Sequence, residues 1–208
     1  MIDVKICGLS TSESVDAAVR HRATHVGFVF FTKSPRNVAA AQIGALAGPI
    51  PPHVRKIGVF VDPGDALLDD AIRAGRLDAV QLHKVTPARA AAVAKRVETW
   101  VAIAVRTAAD LAIAPSFAGA AHRLLYDAKT PNDALPGGMG LRFDWQLLQG
   151  FDHPLPWALS GGLDADNLPE AVRVTGAQMV DVSSGVESAP GVKDVDKIAA
   201  FLHAARQL

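Results

Sequence analysis

The chain's scarcities narrow its class before any motif is read. It holds one cysteine, at position 7, in 208 residues. That excludes an intramolecular disulfide and a zinc site built on clustered cysteines, and a single thiol suits a reducing compartment. Net charge is missing as well, with 21 Lys plus Arg against 21 Asp plus Glu. Nucleic acid and anionic membranes are met through an excess of basic residues, so neither partner is expected. No segment approaches the ~20 uninterrupted apolar residues of a membrane span. The start, Met1-Ile2-Asp3-Val4-Lys5, lacks the pattern of a signal peptide. These absences together lead to the expectation of a soluble cytoplasmic protein.

Apolar residues are abundant, at 50% against 20% charged, which excludes disorder and supports a core without metal or disulfide staples. The length suits one domain over residues 1–208, since no linker or low-complexity tract divides it. Short apolar or β-branched runs recur at Val4–Cys7, His25–Phe30, Lys56–Val61, Ala79–His83, Trp100–Val105, Arg123–Ala128, Trp157–Ser160 and Met179–Ser183. Longer stretches rich in Ala and Leu separate them. Ser12–Arg22 follows a Ser/Thr cap, and Val195–Leu208 sets Ile198, Phe201, Leu202 and Ala205 at helical spacing. Ala109–Phe117 contains Pro115, so a short or broken helix is expected there. Eight strands alternating with helices allow a doubly wound sheet or a closed (β/α)8 barrel. The first strand ends in Cys7-Gly8-Leu9-Ser10 without the G-x-G-x-x-G fingerprint of the doubly wound class, which favours the barrel.

Active sites of such barrels gather at the carboxyl ends of the strands, where alternation decides which side chains point inward. With Val4 and Ile6 facing the helices, Lys5 and Cys7 face the interior. The same parity turns Gln81 and His83, Asp127, and Asp181 with Ser183 inward. Cys7 reads either as a small core residue or as a base. Lys5 beside it either stabilises a thiolate or forms a structural pair with an inward acid. Asp127 either caps a helix or pairs with Lys129, or else acts as a general acid with a pKa raised by burial. Ser160-Gly161-Gly162-Leu163 and Ser183-Ser184-Gly185 follow the last two strands, where barrels bind phosphate through backbone N–H groups. Gly137-Gly138-Met139-Gly140 has the length of a mobile flap. Arg36, in Lys33-Ser34-Pro35-Arg36, is either an exposed turn residue or a fork for a substrate carboxylate.

These segments taken in order resemble the phosphoribosylanthranilate isomerase family of tryptophan biosynthesis. The resemblance rests on Val4–Leu9, Gly27–Phe30 with Lys33–Arg36, Lys56–Val61, Val80–His83, Leu125–Lys129, Gly137–Gly140 with Phe143–Trp145, Ser160–Leu163 and Asp181–Glu187. It implies an enzyme without metal or cofactor that converts phosphoribosylanthranilate to its aminoketose by an Amadori rearrangement. By position it makes Asp127 the general acid and Cys7 the general base. It puts Arg36 at the anthranilate carboxylate and Asp181 at the sugar, with His83 also in the binding site. Gly161, Gly162, Ser183, Ser184 and Gly185 fall in the phosphate loops. Lys84, Met139 and Ser160 depart from the family's usual glycine, threonine and alanine. Two rivals stand beside this reading: a related aminoaldose isomerase of histidine biosynthesis, which commonly uses two aspartates, and a non-catalytic barrel that binds a phosphometabolite. The oligomeric expectation is a monomer or homodimer.

Overall fold

The eight runs become eight parallel strands: β1 (Asp3–Cys7), β2 (His25–Phe30), β3 (Arg55–Val61), β4 (Ala79–His83), β5 (Glu98–Val105), β6 (Arg123–Ala128), β7 (Trp157–Leu159) and β8 (Met179–Val182). In this computed structural model, which describes residues 2–130, 138 and 140–208, each strand pairs with the next and β8 pairs back with β1. The result is the closed barrel, with no free edge. A two-stranded antiparallel hairpin, β9 (Glu187–Ala189) with β10 (Val192–Lys193), follows β8.

The helices form where local signals ask for them. Thr11 caps α1 (Ser12–Arg20) by accepting from the Ser14 N–H, and Thr86 does the same for α4 (Pro87–Ala94), which starts on a proline. Between them lie α2 (Ala40–Ala47) and α3 (Asp65–Gly75). After β7 comes α5 (Leu168–Thr175), and α6 (Val195–Arg206) closes the chain with Ile198, Phe201, Leu202 and Ala205 buried. The fifth and sixth connections depart from an ideal (β/α)8 pattern. Ala108–Phe117 winds as a 3-10 helix, and Trp145–Leu148 forms a single 3-10 turn. Pro115 lacks an N–H and clashes with the preceding turn of an α-helix, which explains the first departure. Among the described residues no helix is long and apolar enough to cross a membrane.

Two apolar clusters result. The larger lies between barrel and helices and includes Val4, Ile6, Val180 and Val182. The smaller fills the barrel itself with Ile57, Ala79, Trp100, Leu125, Ala158 and Met179. Trp100 is the floor of that interior, with the His25 ring 5.5 Å away and the Arg123 guanidinium 5.2 Å above its ring. Burial lowers His25 to about 4, so the floor holds a neutral imidazole at neutral pH. This apolar plug separates the inward polar side chains at the amino ends, where Arg55 bonds Glu98 at 2.7 Å, from those at the carboxyl ends, where barrel active sites gather.

Candidate active site

Register brings the polar groups together. In parallel pairing Lys5 lies opposite Asp181 of β8, and Cys7 lies opposite Gly27 of β2. Lys5 is fully buried, and its Nζ donates to Asp181 Oδ1 at 2.8 Å. The other carboxylate oxygen, Oδ2, accepts from Ser160 Oγ at 3.2 Å. The side chain that departs from the family's alanine therefore joins the same network. Of the two readings of Lys5, the structural pair with an inward acid is formed, and the ammonium also lies beside Cys7. Burial opposes the charge on Lys5, but Asp181 and Cys7 outweigh it and raise its pKa. Burial likewise raises the Cys7 thiol, with Asp181 adding to the rise while Lys5 and Lys193 oppose it.

Asp127 stands at the end of β6 with 8% exposure, and its Oδ1 accepts from the Ala128 N–H at 2.9 Å. Burial and the nearby Asp181 push its carboxyl up to about 7. It does not pair with Lys129, which bonds Asp110 at 2.6 Å instead. His83 is lowered to about 4 by burial, with Lys5 and Lys84 contributing, and its Nε2 lies 3.0 Å from Gln81 Nε2. It is therefore a neutral imidazole in the site, not a cation. Lys84 beside it holds φ 57°, the left-handed conformation that a glycine would adopt without strain.

Two continuous lobes open at this mouth. The larger, about 560 Å³, is lined by Cys7, Arg36, Gln81, His83, Asp127 and Asp181, among others. The smaller, about 320 Å³, is lined by Gly161, Gly162, Ser183 and Ser184. Asp127, Ser160, Asp181 and Ser183 border both lobes. The N–H groups of Gly161, Gly162 and Leu163, which line the smaller lobe, have no backbone acceptor among the described residues and are donors an anion there could use. Glycine is required there. A Cβ on Gly161, at φ 91°, would lie 2.6 Å from the Ala128 nitrogen, and one on Gly185 would overlap the Leu163 carbonyl. Gly138 also lines both lobes; Gly137 and Met139, the other half of the expected flap, lie outside the described residues.

Arg36 is neither an exposed turn residue nor a wholly open fork. It is 6% exposed, and Glu187 takes its Nε and Nη2 at 2.7 Å each, while Nη2 also donates to the Gly138 carbonyl at 2.8 Å. Only Nη1 lacks a hydrogen-bond partner among the described residues. Lys193 completes this cluster. Its Nζ bonds Glu187 at 2.7 Å and the Ser183 carbonyl at 2.8 Å, and its side chain is 2% exposed. Glu187 and Lys193 were not singled out by strand parity, because they sit on the hairpin after β8. Glu187 nevertheless ends one of the segments that carried the family resemblance.

A closed (β/α)8 barrel whose mouth holds a thiol, a carboxyl ionising near neutrality and a glycine-lined anion recess belongs to the class of barrel enzymes that do acid–base chemistry on phosphorylated substrates. Comparison with known proteins is more specific. Residues 4–204 match the N-(5'phosphoribosyl)anthranilate (PRA) isomerase family. An N-(5'-phosphoribosyl)anthranilate isomerase of Zymomonas mobilis subsp. mobilis is 54% identical over 211 residues, covering 100% of this chain and 99% of the relative. The crystal structure of the Thermotoga maritima phosphoribosyl anthranilate isomerase superposes with a TM-score of 0.90 at 34% identity and full coverage of both chains. A phosphoribosyl anthranilate isomerase solved with reduced 1-(o-carboxyphenylamino)-1-deoxyribulose 5-phosphate gives 0.88 at 32%, again over 100% of each chain. The chain belongs to the phosphoribosylanthranilate isomerase family, and it is an isomerase.

Proposed function

We propose that residues 1–208 act as one catalytic barrel that isomerises N-(5'-phosphoribosyl)anthranilate to 1-(2-carboxyphenylamino)-1-deoxyribulose 5-phosphate in tryptophan biosynthesis. Asp127 is the general acid and Cys7 the general base. The observation that carries this reading is the pairing, around one cleft, of a carboxyl whose pKa is near 7 with a thiol, at the edge of a glycine-lined recess.

Asp127 gives its proton to the furanose ring oxygen as the C1–O bond breaks, and the aniline nitrogen lone pair forms the C1=N iminium. That cation acidifies C2–H. Cys7 Sγ takes the proton, the C–H electron pair becomes C1=C2, and the nitrogen regains its lone pair. Ketonisation then removes the C2 hydroxyl proton and adds one at C1. Asp127 as carboxylate and Cys7 as thiol are in the states to accept the first and give the second. The phosphate occupies the recess lined by Gly161, Gly162, Ser183 and Ser184, while Gly185 packs against the Leu163 carbonyl and does not itself line it. Asp181, already bonded by Lys5 and Ser160, keeps lone pairs for a sugar hydroxyl, and Arg36 offers Nη1 to the anthranilate carboxylate. His83 borders the same lobe as a neutral donor or acceptor. The related histidine-pathway reaction commonly uses two aspartates; a cysteine at the strand-one position favours the anthranilate substrate.

Following anthranilate fluorescence during consumption of phosphoribosylanthranilate tests the reading. Wild type should turn the substrate over, while Cys7→Ala and Asp127→Asn should each lose about 10²–10⁴-fold in kcat and still bind a product analogue. Near-wild-type turnover in either folded variant would refute the roles, and greater activity on the histidine-pathway aminoaldose would refute the substrate.

A further inference from the structure

We propose that Lys5 is a positioning residue for the base: its ammonium, anchored by Asp181, holds Cys7 at the barrel mouth and stabilises it as the thiolate. The proposal rests on the assignment of Cys7 as the base and adds a group that does not itself reach the substrate cleft.

The geometry begins with a missing side chain. Gly27 of β2 lies beside Cys7 in register, and the point where its Cβ would sit is 3.0 Å from Lys5 Cε, 3.1 Å from Lys5 Nζ and 3.1 Å from Cys7 Sγ. The ammonium and the sulfur therefore share the space that β2 leaves empty. A side chain at position 27 would crowd both and force one of them to shift. Lys5 is fully buried and does not border either lobe of the cleft, whereas Cys7 borders the larger one. A buried ammonium persists only when paired, and Asp181, itself bonded by Ser160, supplies the pair at 2.8 Å.

Charge balance gives this arrangement its chemical direction. Lys5 and Asp181 neutralise each other, so Cys7 as thiolate adds one negative charge to that pair. On the other side, Arg36 and Lys193 share the single carboxylate of Glu187 and leave one positive charge. The mouth is thus neutral with Cys7 ionised and Asp127 protonated. The groups facing Cys7 are Lys5 from its own strand, Asp181 from β8 and Lys193 from β10; Arg36, neutral His83 and Asp127 line the same lobe. Among these, Lys5 opposes the effect of burial on the thiol most strongly.

Because Cys7 is the one cysteine, thiolate absorbance at 240 nm with Cys7→Ala as the blank titrates it directly and without substrate. Lys5→Gln keeps a donor for Asp181 and removes the charge. The thiol midpoint should rise by at least one pH unit, so that the thiolate fraction near pH 8 falls tenfold or more. In parallel, kcat should fall about tenfold while KM changes less than threefold, because Lys5 does not touch the substrate. If the buried Asp181 left by this change prevents folding, Lys5→Gln with Asp181→Asn substitutes a neutral amide pair, and the thiol midpoint should still exceed that of wild type. A midpoint at or below the wild-type value in either folded variant overturns the proposal, as does an unchanged kcat in Lys5→Gln. Failure of the wild-type enzyme to consume phosphoribosylanthranilate would instead defeat the functional reading, while the titration would still decide the part played by Lys5.

Discussion

Turnover by a buried acid that ionises near 7 and a thiol base raised above its ordinary range has a recognisable dependence on pH. On the proposed roles, catalysis needs Asp127 protonated and Cys7 ionised at the same moment. Burial puts Asp127 at about 7 and keeps Cys7 above the ordinary thiol value of 9.0. Below pH 7 the acid is fully protonated and the thiolate fraction falls tenfold per unit, so the rate falls with it. Between the two values each rise in pH ionises more Cys7 and deprotonates Asp127 in equal proportion, and the rate is flat. Above the Cys7 value the thiolate is saturated, and loss of the Asp127 proton lowers the rate. Because the acid ionises at lower pH than the base, the productive form is a minor fraction of the enzyme at every pH. The assay is kcat/KM for phosphoribosylanthranilate at half-unit steps from pH 6 to 10, with the thiol titrated separately by its absorbance. A level profile from pH 7.5 to 8.5 is expected, with the acidic limb belonging to Asp127 and not to the base. A tenfold fall per unit beginning near pH 7 would show that the base is already ionised there and would refute the reasoning.

Asp127 also has a cost that can be measured. Its folded pKa is raised above the ordinary 3.8, so the fold disfavours its charged form. That cost is fully present above pH 7 and absent below about pH 4; Asp127→Asn should therefore raise stability to urea by about 2–4 kcal/mol at pH 8 and much less at pH 4. Equal effects at the two pH values would contradict the shift. Lys84 holds φ 57°. Lys84→Gly should stabilise the barrel by about 0.5–1 kcal/mol, seen as a higher urea midpoint, and a lower midpoint would count against strain at that residue. A Cβ on Gly185 would overlap the Leu163 carbonyl. Gly185→Ala should raise KM for the phosphorylated substrate at least tenfold and weaken inhibition by inorganic phosphate; unchanged phosphate inhibition would place the anion elsewhere.

The sequence by itself determined the strands, to within a residue at most ends, and the direction of their side chains. Both are local properties. Alternation over four to eight residues shows which face of Val4–Cys7 or Leu124–Asp127 is apolar, and glycine clusters show where the chain must turn tightly. The barrel followed from the count of strands and the absence of a dinucleotide fingerprint. Pro115 marked one of the two connections that are not regular α-helices, because a proline both lacks the N–H and clashes with the preceding turn; the 3-10 turn at Trp145–Leu148 carried no such signal. Partner choice was another matter. Whether Asp127 met Lys129, whether Arg36 stood free, and whether Lys5 served the thiol or an acid were all open. Barrel closure set Lys5 opposite Asp181, 176 residues away, and β2 put a glycine beside Cys7. The hairpin after β8 carried Glu187 and Lys193 onto Arg36. Ionisation was decided at the same level, because desolvation and neighbouring charge depend on what surrounds a group in space. That Lys5 and Cys7 share a face was legible from alternation, but a near-neutral acid at Asp127 and an ammonium anchored by Asp181 depend on long-range register, which no local pattern encodes.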